Sequence, residues 1–283
     1  MRDILKKIHI QWLLAVAALL AGRSDALAME VTPKPWALNW QPAFSPTMER
    51  IHDFHDYVLV VIILITLFVL GLIVFISVKF HEKNNPVPSK TTHNSLLEVL
   101  WTAIPVIILV IIAIPSLKLL YFMDKTDNPE MTLKIIGHQW YWSYEYPDNG
   151  KFTFDSVMVP NDEIKPGQHR LLSVDNSVVL PIDTNVRLLM TSGDVIHSWA
   201  VPPLLHKIDA VPGRINESWF KITAEGTYYG QCSELCGINH GFMPIRIEAV
   251  SKDKFKAWVA AAQKKFAKAD GEPIAVAQAT NSR

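Results

Sequence analysis

Two long apolar stretches in the first half of the chain are long enough to cross a lipid bilayer. The run from 57 to 78 contains no charged side chain, and the run from 99 to 117 is also uncharged, although two prolines interrupt it. About 20 apolar residues span the hydrocarbon core of a membrane, and membrane helices accept proline more readily than soluble helices do. The pattern therefore predicts two transmembrane helices, over 57–79 and 98–123, joined as a hairpin by a loop over 80–97.

Beyond the second apolar run, short alternating segments replace the long ones. Between 124 and 250, turn sequences such as Lys-Pro-Gly (165–167) and Pro-Gly (212–213) divide the chain into strand-length runs. This spacing of strands and turns is typical of an all-β sandwich or barrel. The runs predicted to form strands are 132–136, 170–174, 186–190, 218–222 and 245–250.

The final segment, 251–283, begins with a helical period. Apolar residues recur at helical spacing and predict an amphipathic helix over 255–269 that packs on the sandwich. They are Phe255, Trp258, Val259, Ala262 and Phe266. The predicted fold class is therefore membrane α plus all-β, with a two-helix transmembrane hairpin followed by a β-sandwich.

The first 28 residues have the three parts of a secretory signal peptide. Arg2, Lys6 and Lys7 precede an apolar run from 12 to 21, and Ala26-Leu27-Ala28 is a cleavage sequence of small residues. The alternative is a third transmembrane helix, but the apolar run is only about half as long as spanning requires. We therefore predict removal of 1–28, a mature chain that begins at Met29, and a bacterial source.

The charges that flank the two spans orient the hairpin. Lys79, Lys83 and Lys90 lie in or beside the connecting loop against the single acid Glu82, whereas the other ends of the spans are flanked by acids. Those acids are Glu49, Asp53, Asp56, Asp124 and Asp127. Because cytoplasmic loops are enriched in lysine and arginine, the loop is predicted in the cytoplasm. The 29–56 segment and the C-terminal domain are predicted outside, as the signal peptide also requires.

The charge is unevenly distributed although the whole chain is formally neutral. The region from 124 to 250 has 16 acidic and 10 basic side chains, a net charge of −6, and the tail from 251 to 283 has a net charge of +4. An acidic domain argues against nucleic acid as a partner, because nucleic acid needs a basic face. It suits a basic protein met in solution.

The segment from 231 to 243 concentrates side chains that bind soft metals. It holds Cys232, Cys236, His240 and Met243. A second imidazole, that of His197, lies earlier in the chain, at the end of a predicted strand. Thiolates, a thioether and imidazoles favour copper or zinc over hard cations. A mononuclear blue-copper site uses two histidines, one cysteine and a weak axial methionine, and that set is complete here with one cysteine to spare.

The additional cysteine predicts a dinuclear copper centre. Two cysteines four positions apart on one loop can each bridge two coppers, which leaves one histidine for each metal. Three alternatives remain. A disulfide would explain neither histidine nor Met243, and a structural zinc site of two cysteines and two histidines has no need of Met243. A thioredoxin-like copper chaperone would need alternating helices and strands, and the sequence does not predict them.

Three segments together resemble subunit II of haem-copper cytochrome c oxidase. They are Gly137-His-Gln-Trp140-Tyr-Trp142-Ser-Tyr144-Glu-Tyr146, Asp194-Val-Ile-His197-Ser-Trp199, and the loop from Cys232 to Met243. The resemblance covers most of the mature chain, both spans included. It implies a cupredoxin-like Greek-key sandwich with the dinuclear copper centre Cu-A, which accepts electrons from cytochrome c and passes them to the haem groups of subunit I. There oxygen is reduced to water and protons are translocated.

The resemblance also implies ligands, partners and location. The copper ligands carried over by position are His197, Cys232, Glu234, Cys236, His240 and Met243. Glu234 is expected to bind copper through its backbone oxygen, which leaves its carboxylate for a magnesium or manganese ion shared with subunit I. Assembly with subunits I and III is expected in the bacterial inner membrane, with the copper domain on the periplasmic side.

Trp140 and the acids around it have two interpretations. Aromatic residues at strand spacing usually pack in a core, as Trp142 and Tyr144 would, and scattered acids usually form a solvated face. In the family that the sequence resembles, the matching tryptophan is where electrons enter. We favour that role for Trp140 and a role in docking lysine-rich cytochrome c for the acids, since complementary charge speeds encounter. The acids are Glu145, Asp155, Asp175 and Asp194.

Glu98 lies at the cytoplasmic start of the second predicted span. An ionisable group there suggests function, although an acid in the first turn is also favoured by the helix dipole, here after a possible cap at Ser95. The resemblance favours a role for Glu98 where protons enter one of the channels into subunit I.

Sequence features separate the oxidase-subunit interpretation from other functions of related proteins. There is no Cys-x-x-Cys-His sequence, so a fused cytochrome c is excluded. The quinol-oxidase relatives lack the copper ligands that are present here, and nitrous oxide reductase would need a large second domain and no hairpin. A membrane-anchored copper donor is the non-catalytic alternative; it would release copper readily and would not need Trp140.

Overall fold

The computed structural model describes residues 29–124 and 128–266. The predicted signal peptide over 1–28 therefore lies outside the described residues, as do Asp127 and the chain from 267 onwards.

Two long helices form the hairpin. Helix α1 spans Pro46–Lys79 and helix α2 spans Ser95–Asp124. Both begin before the apolar runs do, because polar residues start them. The hydroxyl of Ser45 accepts a hydrogen bond from the backbone of Met48 and so caps α1. The apolar windows of both helices are long enough to cross a membrane and are not buried within the protein, as two lipid-facing spans require.

Two β-sheets, one of six strands and one of five, build the domain that follows. The first sheet has the order β5 (Val178–Pro181), β11 (Pro244–Val250), β10 (Gly226–Cys232), β7 (His197–Val201) and β8 (Leu205–Ala210), with β1 (Met29–Val31) also paired to β10. The second has the order β4 (Phe152–Ser156), β3 (Tyr141–Tyr146), β2 (Met131–His138), β6 (Val186–Ser192) and β9 (Asn216–Phe220). The pairs β2–β6 and β5–β11 are parallel and the rest of the main ladders are antiparallel, which is the mixed pairing of a cupredoxin-like Greek-key sandwich.

The core of the sandwich lies between the two sheets. Along β2 every second side chain is buried, and β6 has the same alternation. Trp142, Tyr144 and Trp199 are fully buried, and the indole N–H of Trp199 donates to the hydroxyl of Tyr144 at 3.2 Å. The polar tips of these large side chains thus find partners inside the core.

The predicted strand over 170–174 is wrong. The chain forms turns there, and Leu171 has φ +65°, which an extended strand excludes. Only Val174 forms an isolated bridge, to Met158, and the strand of this region is β5. His197 also differs from expectation, since it begins β7 instead of ending a strand. The other four predicted strands overlap β2, β6, β9 and β11.

Helix α3, Lys252–Lys265, covers one end of the sandwich and begins earlier than the predicted start at 255. The hydroxyl of Ser251 accepts from the backbone of Lys254 and caps it. Trp258 of this helix packs against Tyr146 and Phe152, with ring centroids 5.2 and 5.7 Å apart. The apolar period of the sequence therefore marks the face that packs on the sandwich.

Hydrogen bonds join the hairpin to the sandwich. At the end of α2, the carbonyls of Phe122 and Met123 accept from the indole of Trp219 at 2.8 Å and the hydroxyl of Ser218 at 2.9 Å. At the start of α1, the hydroxyl of Ser45 donates to the carbonyl of Leu204 at 2.5 Å. At the same end of the hairpin, α1 is thus tied to the turn between β7 and β8 and α2 is tied to β9, which holds the sandwich over that end.

Candidate metal centre

Two separate parts of the sandwich bring the predicted ligands together. His197 begins β7, while both cysteines lie where β10 leads into the loop before β11. Three possible ligand atoms lie within 4.8 Å of one another, one from each of His197, Cys232 and Cys236. All three residues are buried. The pairing of β10 with β7 at Cys232 and Trp199 places the loop beside His197.

The two cysteines are free thiols, and their sulfurs are 3.8 Å apart. Nδ1 of His197 is 3.8 Å from the sulfur of Cys232, and Nδ1 of His240 is 3.6 Å from the sulfur of Cys236. Each thiol thus has its own imidazole, as a site with two metal positions would need. The disulfide alternative is not what the structure shows.

The remaining predicted ligands complete the same cluster. Sδ of Met243 is 3.6 Å from the sulfur of Cys236. The backbone carbonyl oxygen of Glu234 is 3.4 Å from the sulfur of Cys232. The carboxylate of Glu234 instead pairs with Nζ of Lys207 at 3.2 Å. Glu234 therefore offers its carbonyl to the cluster and its carboxylate to the surface.

The thiols differ in their electrostatics. Burial works to raise the pKa of Cys232, but hydrogen bonding with His197 and with backbone groups lowers it to about 6. Burial and the neighbouring Cys232 thiolate raise the pKa of Cys236 to about 12. Two thiolates this close repel each other, so a cation between them is what would allow both to ionise. The donor set of two thiols, two imidazoles and a thioether fits copper.

Asp194 orients His197 from the other side of the ring. Oδ1 of Asp194 is 2.8 Å from Nε2 of His197, so Nδ1 is the nitrogen directed at Cys232. Oδ2 of Asp194 accepts from the backbone N–H of Gln139 at 2.7 Å. Such a carboxylate fixes the tautomer and the orientation of a metal-binding histidine. The sequence interpretation missed this contact, although the Asp-x-x-His spacing is a signal that could have suggested it.

The same contacts shift the pKa of both partners. Burial works to raise the pKa of Asp194, and hydrogen bonds from His197, Gln139 and Val195 lower it below its usual range. Burial works to lower the pKa of His197, and hydrogen bonding to Cys232 and Asp194 raises it above its usual range. The ionised carboxylate of Asp194 and the protonated imidazole of His197 thus stabilise each other.

Gly137 makes room for the ring of His197. A Cβ at position 137 would lie 2.8 Å from the nearest ring carbon of His197, closer than side chains tolerate. The first residue of the aromatic segment is therefore a glycine because the imidazole packs directly on its backbone.

Trp140 lies against the loop that carries the two cysteines. Its indole N–H donates to the carbonyl of Cys236 at 3.1 Å, and the side-chain amide of Gln139 donates to the same oxygen at 2.8 Å. The ring is half-buried and packs over Gly237, where an added Cβ would come within 3.0 Å of it. Trp140 therefore touches the loop that carries both cysteines and is partly open to solvent.

Trp142 and Tyr144 are core residues. Trp142 is fully buried, its ring meets that of His197 edge-on at 5.8 Å, and its indole donates to the carbonyl of Met243 at 3.3 Å. Tyr144 is fully buried, and burial raises the pKa of its hydroxyl well above the usual range. The aromatic segment thus packs in the core and also contacts the candidate metal ligands.

The other three predicted docking acids have local partners. Glu145 pairs with Lys134 at 3.0 Å, and Asp155 accepts from the hydroxyl of Ser143 at 2.5 Å. Asp175 accepts from the backbone of Val157 at 2.8 Å. Asp155 and Asp175 are exposed. They form a solvated acidic face, whereas Asp194 faces His197.

Glu98 lies in the first turn of α2, far along the chain from the metal ligands and exposed. The cap is Asn94 and not Ser95, since Oδ1 of Asn94 accepts from the backbone of Leu97 at 3.2 Å. The carboxylate of Glu98 accepts from the backbone of Asn94 at 3.3 Å. These reciprocal bonds give Glu98 a capping role like that of the acid in a capping box, although Glu98 lies four residues after the cap and not three.

Comparison with known proteins gives one family for both parts of the chain. Residues 131–250 match the model of the periplasmic domain of cytochrome c oxidase subunit II, and residues 33–119 match the model of its transmembrane domain. A probable cytochrome c oxidase subunit 2 of Rickettsia bellii is 54% identical over 86% of this chain and 90% of its own length. Cytochrome c oxidase subunit 2 of Oenothera berteroana is 53% identical over 80% of this chain and 90% of its own length.

Among solved structures, the periplasmic domain of subunit II of cytochrome oxidase from Bradyrhizobium japonicum is similar. It is 51% identical, covers 50% of this chain and 99% of its own, and has a TM-score of 0.47.

Proposed function

The chain belongs to the cytochrome c oxidase subunit II family, and we propose that its β-sandwich holds a dinuclear copper centre. Membership makes it the electron-transfer subunit of a haem-copper oxidase. The observation that carries the copper proposal is the buried pair of thiols 3.8 Å apart, each with its own imidazole. A mononuclear blue-copper site would need only one of the two cysteines, and a zinc site of two cysteines and two histidines would have no need of Met243.

Six residues would hold the two coppers. The thiolates of Cys232 and Cys236 would bridge them, and His197 and His240 would each bind one. Met243 and the carbonyl of Glu234 would be the weak additional ligands. When bound, two coppers bridged in this way share one electron and exchange it with little change in bond lengths.

Hydrogen bonds from groups other than the proposed ligands hold the loop in place. The carbonyl of Cys236 accepts from both Gln139 and Trp140, and that of Met243 accepts from Trp142. Asp194 holds the ring of His197. Ligands that are already oriented limit the rearrangement that accompanies electron transfer.

Electrons are proposed to enter at Trp140. Its ring is partly exposed and is hydrogen-bonded to the loop at Cys236. The acidic face of Glu145, Asp155 and Asp175 would attract a basic cytochrome c, and the attraction would weaken with salt. Asp194 is partly exposed as well, and its carboxylate would add to that charge from beside His197.

Magnesium or manganese is proposed as a second metal, shared with subunit I. This chain supplies one carboxylate, that of Glu234, and Lys207 occupies it in the structure. Hard cations need several oxygen ligands, so subunit I would supply the rest and Lys207 would have to release Glu234. The proposed setting is the bacterial inner membrane, with the sandwich on the periplasmic side and subunits I and III as neighbours in the membrane.

Copper content and an electron paramagnetic resonance spectrum of the purified full-length protein test the copper proposal. We expect two coppers per chain that share one unpaired electron, with hyperfine structure richer than one copper nucleus produces. One copper with a four-line pattern would indicate a blue-copper-like site. Ready loss of copper to a chelator would favour the copper-donor alternative.

Glu98→Gln tests the proposed role in proton uptake. We expect turnover to fall about tenfold, equivalent to ~1.4 kcal/mol in the barrier, with the copper spectrum unchanged. The glutamine keeps an oxygen for the backbone of Asn94, so the helix start should survive. Glu82→Gln, in the loop that precedes α2, is the matched control and should leave turnover unchanged. Normal turnover and proton uptake in Glu98→Gln would leave Glu98 only its capping role.

A further inference from the structure

A groove between the two membrane helices lies at the end of the hairpin that adjoins the sandwich. Its volume is about 480 Å³, and side chains of both helices line it. Its charged side chains are Arg50, Asp53 and Lys118, and its apolar side chains include Phe54, Tyr57 and Leu119.

The charges of the groove lie at the depth of lipid headgroups. Arg50 precedes the start of the first uncharged run at Tyr57 by seven residues, which is about 10 Å along a helix. Lys118 directly follows the second uncharged run. Long basic side chains reach along a helix to keep their charge in the polar layer, and lipid phosphates lie in that layer.

The two cations have no acidic partner among the described residues. Neither Arg50 nor Lys118 forms an ion pair there. The guanidinium of Arg50 lies 3.5 Å above the ring of Phe122, which leaves the N–H groups at its edge to donate elsewhere. Both cations lie at the end of the hairpin away from the lysine-bearing loop. Basic residues are less favoured at that outer end.

We propose that this groove binds the headgroup of one phosphatidylethanolamine molecule. Its phosphate would accept from Arg50 and Lys118, and its ammonium would face Asp53, so that each charge has a partner. The acyl chains would lie on the exposed apolar side chains that continue from the groove, such as Val60 and Ile114. Free phosphate would not use the apolar floor, and an apolar protein segment would not need the cations.

Native mass spectrometry of the purified oxidase complex tests the proposal. The variant that combines Arg50→Gln with Lys118→Gln should lose one retained phosphatidylethanolamine per complex. Lys118→Arg, which keeps the charge, should retain it, as should Lys79→Gln, the matched removal of a lysine at the other end of the hairpin. Co-purification with the complex shows that each variant chain has folded. Equal lipid retention in all variants would overturn the proposal.

A photoreactive side chain identifies the occupant directly. With p-benzoylphenylalanine in place of Leu119, illumination of the complex should yield a phosphatidylethanolamine adduct on this chain. An adduct to another subunit would show that protein fills the groove, and an adduct to a different phospholipid would refute the role given to Asp53. Both readouts are independent of copper.

Discussion

Replacing either Cys232 or Cys236 with serine is expected to abolish the mixed-valence copper spectrum. A hydroxyl is a harder ligand than a thiolate and does not bridge two coppers in the same way. The two sulfurs are 3.8 Å apart in a buried site, so the loss of one leaves the other with no bridging partner. We expect oxidase activity with cytochrome c to be lost in both variants.

The measurement is the electron paramagnetic resonance spectrum with copper content on the same samples. Ser233→Ala is the matched control, because Ser233 is exposed between the cysteines and should leave the spectrum intact. Met243→Leu should alter the spectrum but retain two coppers, since Met243 would be a weak ligand. An unchanged mixed-valence spectrum in either cysteine variant would refute thiolate bridging.

The two membrane helices were predictable because the bilayer imposes a long uncharged run. Their ends were not, because the run marks only the part in hydrocarbon. The start of α1 depends on Ser45 and that of α2 on Asn94, and both caps lie outside the apolar pattern. Capping depends on the placement of one polar side chain, which hydrophobic periodicity does not report.

The strands show a related limit. Four of the five predicted runs overlap strands, but the run over 170–174 forms turns because Leu171 adopts a left-handed conformation. A short alternating run predicts a strand only when a neighbouring strand is available to pair with it. The parallel pairing of β5 with β11 joins segments far apart in the chain, and neither segment alone indicates it.

The side chains of the candidate metal centre were predictable from the sequence, but the contacts that hold them in position were not. The spacing of the cysteines on one loop indicates a site, because soft ligands this close seldom serve packing alone. Asp194 was predicted to be a docking acid, and the structure shows its carboxylate on His197. That contact depends on the turn before β7, which brings the carboxylate to Nε2. The two roles are compatible, since the side chain is also partly exposed.

Replacing Trp140 with leucine is expected to slow electron entry about 100-fold, or ~2.7 kcal/mol in the barrier, with the affinity for cytochrome c nearly unchanged. Leucine removes the π system that touches the loop and the indole N–H that donates to Cys236. The loop should remain in place, because Gln139 donates to the same carbonyl at 2.8 Å. The copper spectrum is therefore expected to persist.

Stopped-flow oxidation of reduced cytochrome c separates the rate at saturation from the affinity. Trp140→Phe, which keeps an aromatic ring but loses the N–H, should have an intermediate rate. The opposite pattern is expected when charge is removed by Asp155→Asn combined with Asp175→Asn, where affinity falls and the rate at saturation is kept. If Trp140→Leu instead loses affinity and transfers electrons at the normal rate, Trp140 is a packing residue. Electrons would then enter the loop elsewhere on its exposed surface.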